Sequence, residues 1–287
     1  IPFTSHNWHF AMMAVSGMFG VSTDMTYARW YQISVDGNDV KEMMTSPEYR
    51  DAVRYYATLF QEKLLDNEIF VHTNKDYFGK GAAGRVGFTP LYQPRNFAKY
   101  ANEYDAIVPP KGPKGDQIWN FLQPKVQSVN NVAITRVNKH PEATVRWFDY
   151  FYTPEGAEAL YHPRAEELGS YDANGQFTFK KEILEADIGF EKFMGTHTIY
   201  PGGAAHGFFR EKQMAPGMAG TPMLSYIKNT GPYLINAIRP GLRSAEQTER
   251  ENEIRSDLDV YIVETVSKFA TGDLDVNNDD DWNRWVE

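Results

Sequence analysis

The sequence predicts a helix-rich α/β fold, and three observations carry that prediction. The run Val86-Gly87-Phe88-Thr89 is too short and too glycine-punctuated for a helix, so it reads as a buried strand. Amphipathic helical segments stand on both sides of it, over residues 49–64 and 141–151. The chain of 287 residues is also long enough to build one large domain or two smaller ones around a sizeable core. In open sheets of this class, ligands sit beyond the carboxyl ends of the strands. The run at 86–89 leads straight into Pro90-Leu91-Tyr92-Gln93-Pro94-Arg95-Asn96, where two prolines fix the backbone around one ring. Tyr92 is therefore the first candidate for a ligand-facing side chain; a Tyr that closes the edge of a core fits this stretch, taken alone, at least as well.

Composition narrows the function classes. Seventeen Tyr, eighteen Phe and six Trp exceed what cores alone need, and flat rings with a polar edge suit stacking on sugars. A net charge of -9 with scattered Lys and Arg argues against nucleic acid, because phosphate recognition needs a basic stripe. Without cysteine there is no disulfide framework, thiolate zinc site or cysteine nucleophile. No apolar run approaches the ~18 residues of a membrane span.

In chain order, Ile1-Pro2-Phe3-Thr4 reads as a strand and Ser5-His6-Asn7-Trp8-His9 as a polar loop. A Met-, Ala- and Phe-rich helix then runs to about Phe19 and ends at Gly20. His6 and His9 have the i, i+3 spacing of a metal pair but no third ligand follows, which favours hydrogen bonding over metal binding. Trp8, set in that loop, is a second candidate platform. Asp36-Gly37-Asn38-Asp39 has turn chemistry. Ser46-Pro47-Glu48 supplies an N-cap, a Pro at the first helical position and an early acid for a helix whose Val53, Tyr56, Ala57, Phe60 and Leu64 form a core face. Residues 70–78 read as an exposed connector, and Gly79, Gly81 and Gly84 as a lead-in to the strand at 86–89; lacking Lys-Ser or Lys-Thr, these glycines are not a phosphate loop.

Beyond Tyr92, residues 104–108 read as a strand stopped by Pro109-Pro110. Gln117-Ile118-Trp119-Asn120-Phe121 forms a further aromatic loop, and residues 126–134 a further strand. Pro141-Glu142 opens a helix with Ala143, Val145, Trp147, Phe148 and Phe151 on its apolar face, and Thr153-Pro154 caps the next. Residues 164–175 read as loop and 176–179 as a short strand; residues 190–222 are long and irregular, more often a functional feature than not. A helix over 246–269, stopped by Gly272, closes the regular structure. The stretch Asp275-Val276-Asn277-Asn278-Asp279-Asp280-Asp281 begins like a calcium loop, but its sixth position is Asp280 and its twelfth Val286, which favours an acidic solvated tail.

Several of these pieces, in this order, resemble one family. Ser46-Pro47-Glu48-Tyr49, Gly84-Arg85-Val86-Gly87, Pro109-Pro110-Lys111-Gly112-Pro113-Lys114-Gly115, Lys139-His140-Pro141-Glu142-Ala143, Tyr152-Thr153-Pro154-Glu155-Gly156 and Lys268-Phe269-Ala270-Thr271-Gly272 are similar to stretches of the extracellular solute-binding proteins (family 1, lipoprotein branch) of ABC-type oligosaccharide importers. Ala165-Glu166-Glu167-Leu168-Gly169-Ser170 departs from the turn expected there. The resemblance implies a periplasmic-binding-protein-like type II fold of two hinged lobes, with the first part of lobe one and a lipid-bearing Cys lying upstream of this N-terminally truncated chain. It assigns residues 1–127 to most of the second lobe, 128–225 to a hinge-crossing strand and part of the first lobe, and 226–287 to helices packing back on the second.

By resemblance to maltose-binding proteins, Tyr92 takes the role of stacking platform, and position adds Trp8, Trp119 and Arg95. The implied function is capture of a carbohydrate, an oligosaccharide on this reading, for delivery to a membrane permease outside the cell, by a monomer without cofactor, metal or chemistry. A carbohydrate-active enzyme is the alternative; it would need paired carboxylates, and none lies in the loops at Tyr92 or Trp119.

Overall fold

At the centre of the packed body is a seam in which residues 1–4 lie between two parallel partners. Phe3 bridges Leu65 on one side and Phe88 on the other. Its N–H donates to the Leu64 carbonyl (2.9 Å), and the Phe88 and Gly87 N–H groups donate to the carbonyls of Pro2 (2.8 Å) and Ile1 (2.9 Å). The run at 86–89 is thus paired as expected, although as a single bridge rather than a long strand. The computed structural model describes residues 1–22, 33–36, 39–90, 97–120, 133–161, 165–173, 177–184, 225–226, 228–234 and 244–287, with a few single positions between 186 and 196.

Helix α1 (Trp8–Ser16) runs through the core with Met12, Met13 and Val15 buried, and its N-cap Asn7 accepts a hydrogen bond from the Phe10 N–H. A single 3-10 turn follows, ending at Gly20 in the left-handed region (φ 79°), as the sequence indicates. Strands β1 (Ile33–Asp36) and β2 (Asp39–Glu42) pair antiparallel, with Asp36 opposite Asp39; Gly37 and Asn38 of the expected turn lie outside the described residues. Helix α2 (Pro47–Gln61) starts where its cap predicts, Ser46 Oγ accepting from the Tyr49 N–H at 3.1 Å.

The expected connector at 70–78 instead contains the start of α3 (Asn74–Ala82), opened by a capping box between Thr73 and Asp76. Gly79 and Gly81 belong to this helix rather than to a loop. A Cβ at Gly81 would lie 2.0 Å from the Phe97 ring, so the glycine that lowers helix propensity is needed for close packing.

Residues 104–108 carry no strand pairing, and of the strand expected over 126–134, residues 126–132 lie outside the described residues. So do Phe121 and most of the irregular stretch at 190–222. Helices α4 (Pro141–Tyr150) and α5 (Pro154–Tyr161) begin as read, with Thr153 Oγ1 accepting from the Gly156 N–H. The apolar side of α4, however, is not buried: Val145, Trp147 and Tyr150 are exposed. Residues 164–175 are not all loop, since α6 (Ala165–Leu168) and β3 (Gly169–Tyr171) fall there; β3 pairs antiparallel with β4 (Phe177–Phe179), and α7 (Lys181–Leu184) follows.

The longest helix, α8 (Ala245–Thr271), is capped by Ser244 and stopped by Gly272. Its last turns place Ile262, Val266, Phe269 and Ala270 in the same core as α1 and α2. Burial of a side chain such as Ile262 or Phe269 contributes about 1.5–3 kcal/mol. The expected acidic tail is in fact α9 (Asp279–Val286): Asn278 caps it, Asp279 to Asp281 sit in the first turn where the helix dipole favours negative charge, and Trp282 and Trp285 are buried. Arg50 reaches across from α2 to Asp279 (2.7 Å) and to the Val276 carbonyl (2.8 Å), while the Trp285 indole donates to the Met44 carbonyl (2.9 Å). Among the described residues no helix is long and apolar enough to cross a membrane.

Candidate functional site

Beyond the carboxyl end of the 86–89 run, a cavity of about 150 Å³ opens between that segment, residues 104–110, Trp119 and the turn of helix carrying Tyr226 and Thr230. This volume is below the ~300–1,000 Å³ of sites that enclose whole drug-sized ligands, so it fits one ring or residue of a larger solute. Phe88, Tyr104, Trp119 and Tyr226 give it aromatic walls.

The rings are positioned by hydrogen bonds made from far along the chain. Trp119 joins the backbone at Leu234 in a parallel bridge, its N–H donating to the Tyr233 carbonyl at 2.8 Å. Its indole Nε1–H donates to the Tyr226 hydroxyl at 2.9 Å, and the two rings stand edge to face with centroids 6.5 Å apart. Thr230 Oγ1 donates to the Tyr226 carbonyl, and Asn229 Nδ2 to the Ala106 carbonyl at 2.5 Å, bracing the 104–107 segment. Tyr104 donates its hydroxyl proton to the Val86 carbonyl. Burial pushes the Tyr226 phenol up despite the opposing hydrogen bonds to Trp119 and Thr230, and burial with the nearby Glu103 does the same for Tyr104, so both rings stay neutral. Neutral rings of this kind can stack on the apolar face of a sugar and cannot ionise at physiological pH.

Thr89 Oγ1 is engaged with the Tyr77 hydroxyl at 2.8 Å. Asp105 accepts from the Ala106 N–H at 2.8 Å through Oδ1, and its other oxygen has no hydrogen-bond partner among the described residues. Behind the wall, Asp66 ties the seam to α3. It accepts from Thr4 Oγ1 (2.8 Å) and pairs with Lys80 Nζ (2.7 Å), with His72 Nδ1 3.5 Å away. Burial alone would raise this carboxyl, but hydrogen bonds from His72, Lys80 and Thr4 outweigh it and hold Asp66 well below the usual carboxylate range.

The sequence-derived candidates are treated unequally by the structure. Trp119 lines the cavity with only 4% of its surface exposed. Tyr92 and Arg95 lie outside the described residues, although Thr89 and Pro90, which precede them, line the cavity. Trp8 is corrected: it sits on the first turn of α1 rather than in a loop, is 4% exposed, and stacks on Phe70 inside the core. His9 likewise lies in α1, while His6 stays in the bend before it, partly buried. Burial, reinforced by His72, pulls the His6 imidazole down to about 4, and burial with His6 beside it pulls His9 down to about 3. Among the described residues no group of three metal-ligating side chains assembles, and in the acidic stretch Asp279 is taken by Arg50 and Asp281 by Arg284.

Sequence reasoning missed Phe88, Tyr104, Asp105 and Tyr226. For the first three the signal was available, since they flank the Thr89-Pro90 and Pro109-Pro110 stops. Tyr226 offered none, because it meets Trp119 across 107 positions of sequence.

This arrangement sits in the periplasmic-binding-protein-like fold of the solute-binding proteins of ABC importers, the fold that the motifs implied. Over 122 residues the chain is 29% identical to the fructooligosaccharide ABC transporter substrate-binding protein FusA of Streptococcus pneumoniae, a match covering 42% of this chain and 23% of that protein. Among solved structures it is similar to an HMO-binding, ABC-transporter-associated solute-binding protein from Bifidobacterium longum infantis, with TM-score 0.68, 13% identity, and coverage of 100% of this chain and 60% of that one. It is also similar to FusA in complex with kestose (TM-score 0.66, 18% identity, 100% and 58% covered) and to an alginate-binding protein without calcium ion (TM-score 0.66, 20% identity, 99% and 59% covered). The chain thus spans about three fifths of the solved chains it matches. No family model matches.

Proposed function

We propose that the complete protein is the extracellular solute-binding component of an ATP-driven importer, capturing an oligosaccharide between two lobes and handing it unaltered to a membrane permease. The observation that carries this reading is the aromatic-walled cavity at the carboxyl end of the seam, in a chain related to carbohydrate-binding proteins of such importers. On this reading Tyr92 stacks on a sugar face, Trp119 borders the solute as a largely buried part of the cavity wall and Arg95 bonds hydroxyls, while closure of the lobes excludes water. Residues 1–127 and 226–287 form one lobe on this reading, supported by the packing of α8 and α9 against α1 and α2. Residues 128–225 cross the hinge and contribute to the other. A lipid anchor upstream holds the monomer at the outer face of the cell membrane.

Hydrolysis is disfavoured by the carboxylates present. Asp105 is the one acidic residue lining the cavity among the described residues, whereas glycoside hydrolysis uses two. Calorimetric titration of the complete protein with oligosaccharides is expected to show saturable binding, weakened by about 1–3 kcal/mol in Tyr92→Ala at an unchanged melting temperature. Continuous release of new reducing ends from any of these sugars would instead identify an enzyme.

A further inference from the structure

We infer that Tyr77 is a positioning residue for the cavity: buried behind the wall and itself outside the lining, it holds Thr89 and Tyr104 in place and so sets the affinity of the site. The inference rests on the solute-binding reading above. Where the chain leaves the seam, backbone pairing runs out at Phe88, whose N–H and carbonyl are taken by Pro2 and Thr4, and Pro90 has no N–H to offer. Thr89 stands between them. It shares a 2.8 Å hydrogen bond with the Tyr77 hydroxyl, the only one Thr89 makes among the described residues.

Tyr77 can hold the wall because it is itself held. Its ring is fully buried and stands edge to face on Phe97 with centroids 5.5 Å apart, and Phe97 stands in the same way on Tyr104 at 5.3 Å. Gly81, one turn on from Tyr77 and on the same face of α3, leaves the room that the Phe97 ring needs. Lys80 pins this helix to the seam through Asp66. Burial pushes the Tyr77 phenol up, outweighing the Thr89 hydrogen bond that acts the other way, so the hydroxyl keeps its proton at physiological pH. Thr89 and Tyr104 reach the cavity from two different segments, and Tyr77 is joined to both, by its hydroxyl to one and through Phe97 to the other. A wall fixed before the solute arrives spares the cost of ordering it on binding.

The test is calorimetric titration of the complete protein with maltotriose, cellotriose, kestose and an alginate trisaccharide, the tightest binder then serving for every variant. Tyr77→Phe, which removes one hydroxyl from a buried ring, should weaken that binding by about threefold to tenfold, the range of one net hydrogen bond. Thr89→Val should do the same, and the double variant should be no weaker than the weaker single, because both changes remove one bond. Ile262→Val, in the main core, should lower the melting temperature and leave affinity unchanged. Without sugar, amide hydrogen exchange in Tyr77→Phe should quicken over residues 86–106 and not over α2.

Wild-type affinity in Tyr77→Phe, losses that multiply in the double variant, an equal loss of affinity in Ile262→Val, or unchanged exchange over residues 86–106 would each overturn the inference and leave the carrier reading standing. If no probe binds the wild type, the carrier reading falls and takes the affinity claim with it, while the hold of Tyr77 on the wall still stands or falls by the exchange result.

Discussion

Helices α2 and α4 are written in the same code and meet different fates. Both begin with a proline at the first turn and carry apolar residues at helical spacing. On α2 the stripe is sealed, with Tyr49, Ala52 and Tyr56 fully buried against α1, α8 and α9. On α4 the described residues include no buried side chain, and Trp147 is 59% exposed. An amphipathic pattern therefore specifies a face that can be covered, and says nothing of whether the cover is present.

The sharpest way to break this contrast is to empty one position of the sealed side. Phe269→Ala should destabilise the protein by about 3–5 kcal/mol in urea unfolding, since it empties a buried position packed on the Trp282 ring. A loss below 1 kcal/mol would mean that the body is as loosely packed as α4. A second, smaller effect comes from acid. His6 belongs to the packed body, and its imidazole is held near 4 rather than 6.5. Above pH 6.5 neither state carries the proton. As pH falls through that value the unfolded chain takes up a proton that the folded one refuses until about 4, so stability declines across this window and is flat above it. His6 alone should cost on the order of 2 kcal/mol between pH 7 and 4.5, His9 adding a loss over the same window, and His6→Leu should show a shallower decline in the same urea titrations. The smallest effect belongs to the open side: Trp147→Ala should move stability by no more than about 0.5 kcal/mol, a surface value for a residue of core type.

The elements that could be read from sequence are those whose signals are local. Ser46-Pro47 and Thr153-Pro154 announce helices, and Gly20 and Gly272 end theirs in the left-handed conformation. Helix α3 was hidden because its two glycines argue against a helix, and the reason for Gly81 is a ring sixteen positions away at Phe97. Helix α9 was hidden by its own charge: three aspartates suggest a solvated tail, and the helical spacing of Trp282 and Trp285, which anchor it, spans only one turn. The site divides along the same line. Trp119 could be picked out because a turn and an aromatic loop surround it, but its partner Tyr226 and the brace from Asn229 to Ala106 exist only once distant segments meet.

The seam has a kinetic consequence. Its middle segment, residues 1–4, gains hydrogen bonds on one edge only when chain some 60 residues on has come back, and on the other only after about 85. Closing loops of that length costs entropy before any contact rewards it, so the register of these few residues is a late event on the way to the native state. Once made, the pairing leaves Phe3 with neighbours on both edges and no open backbone for a second chain to extend.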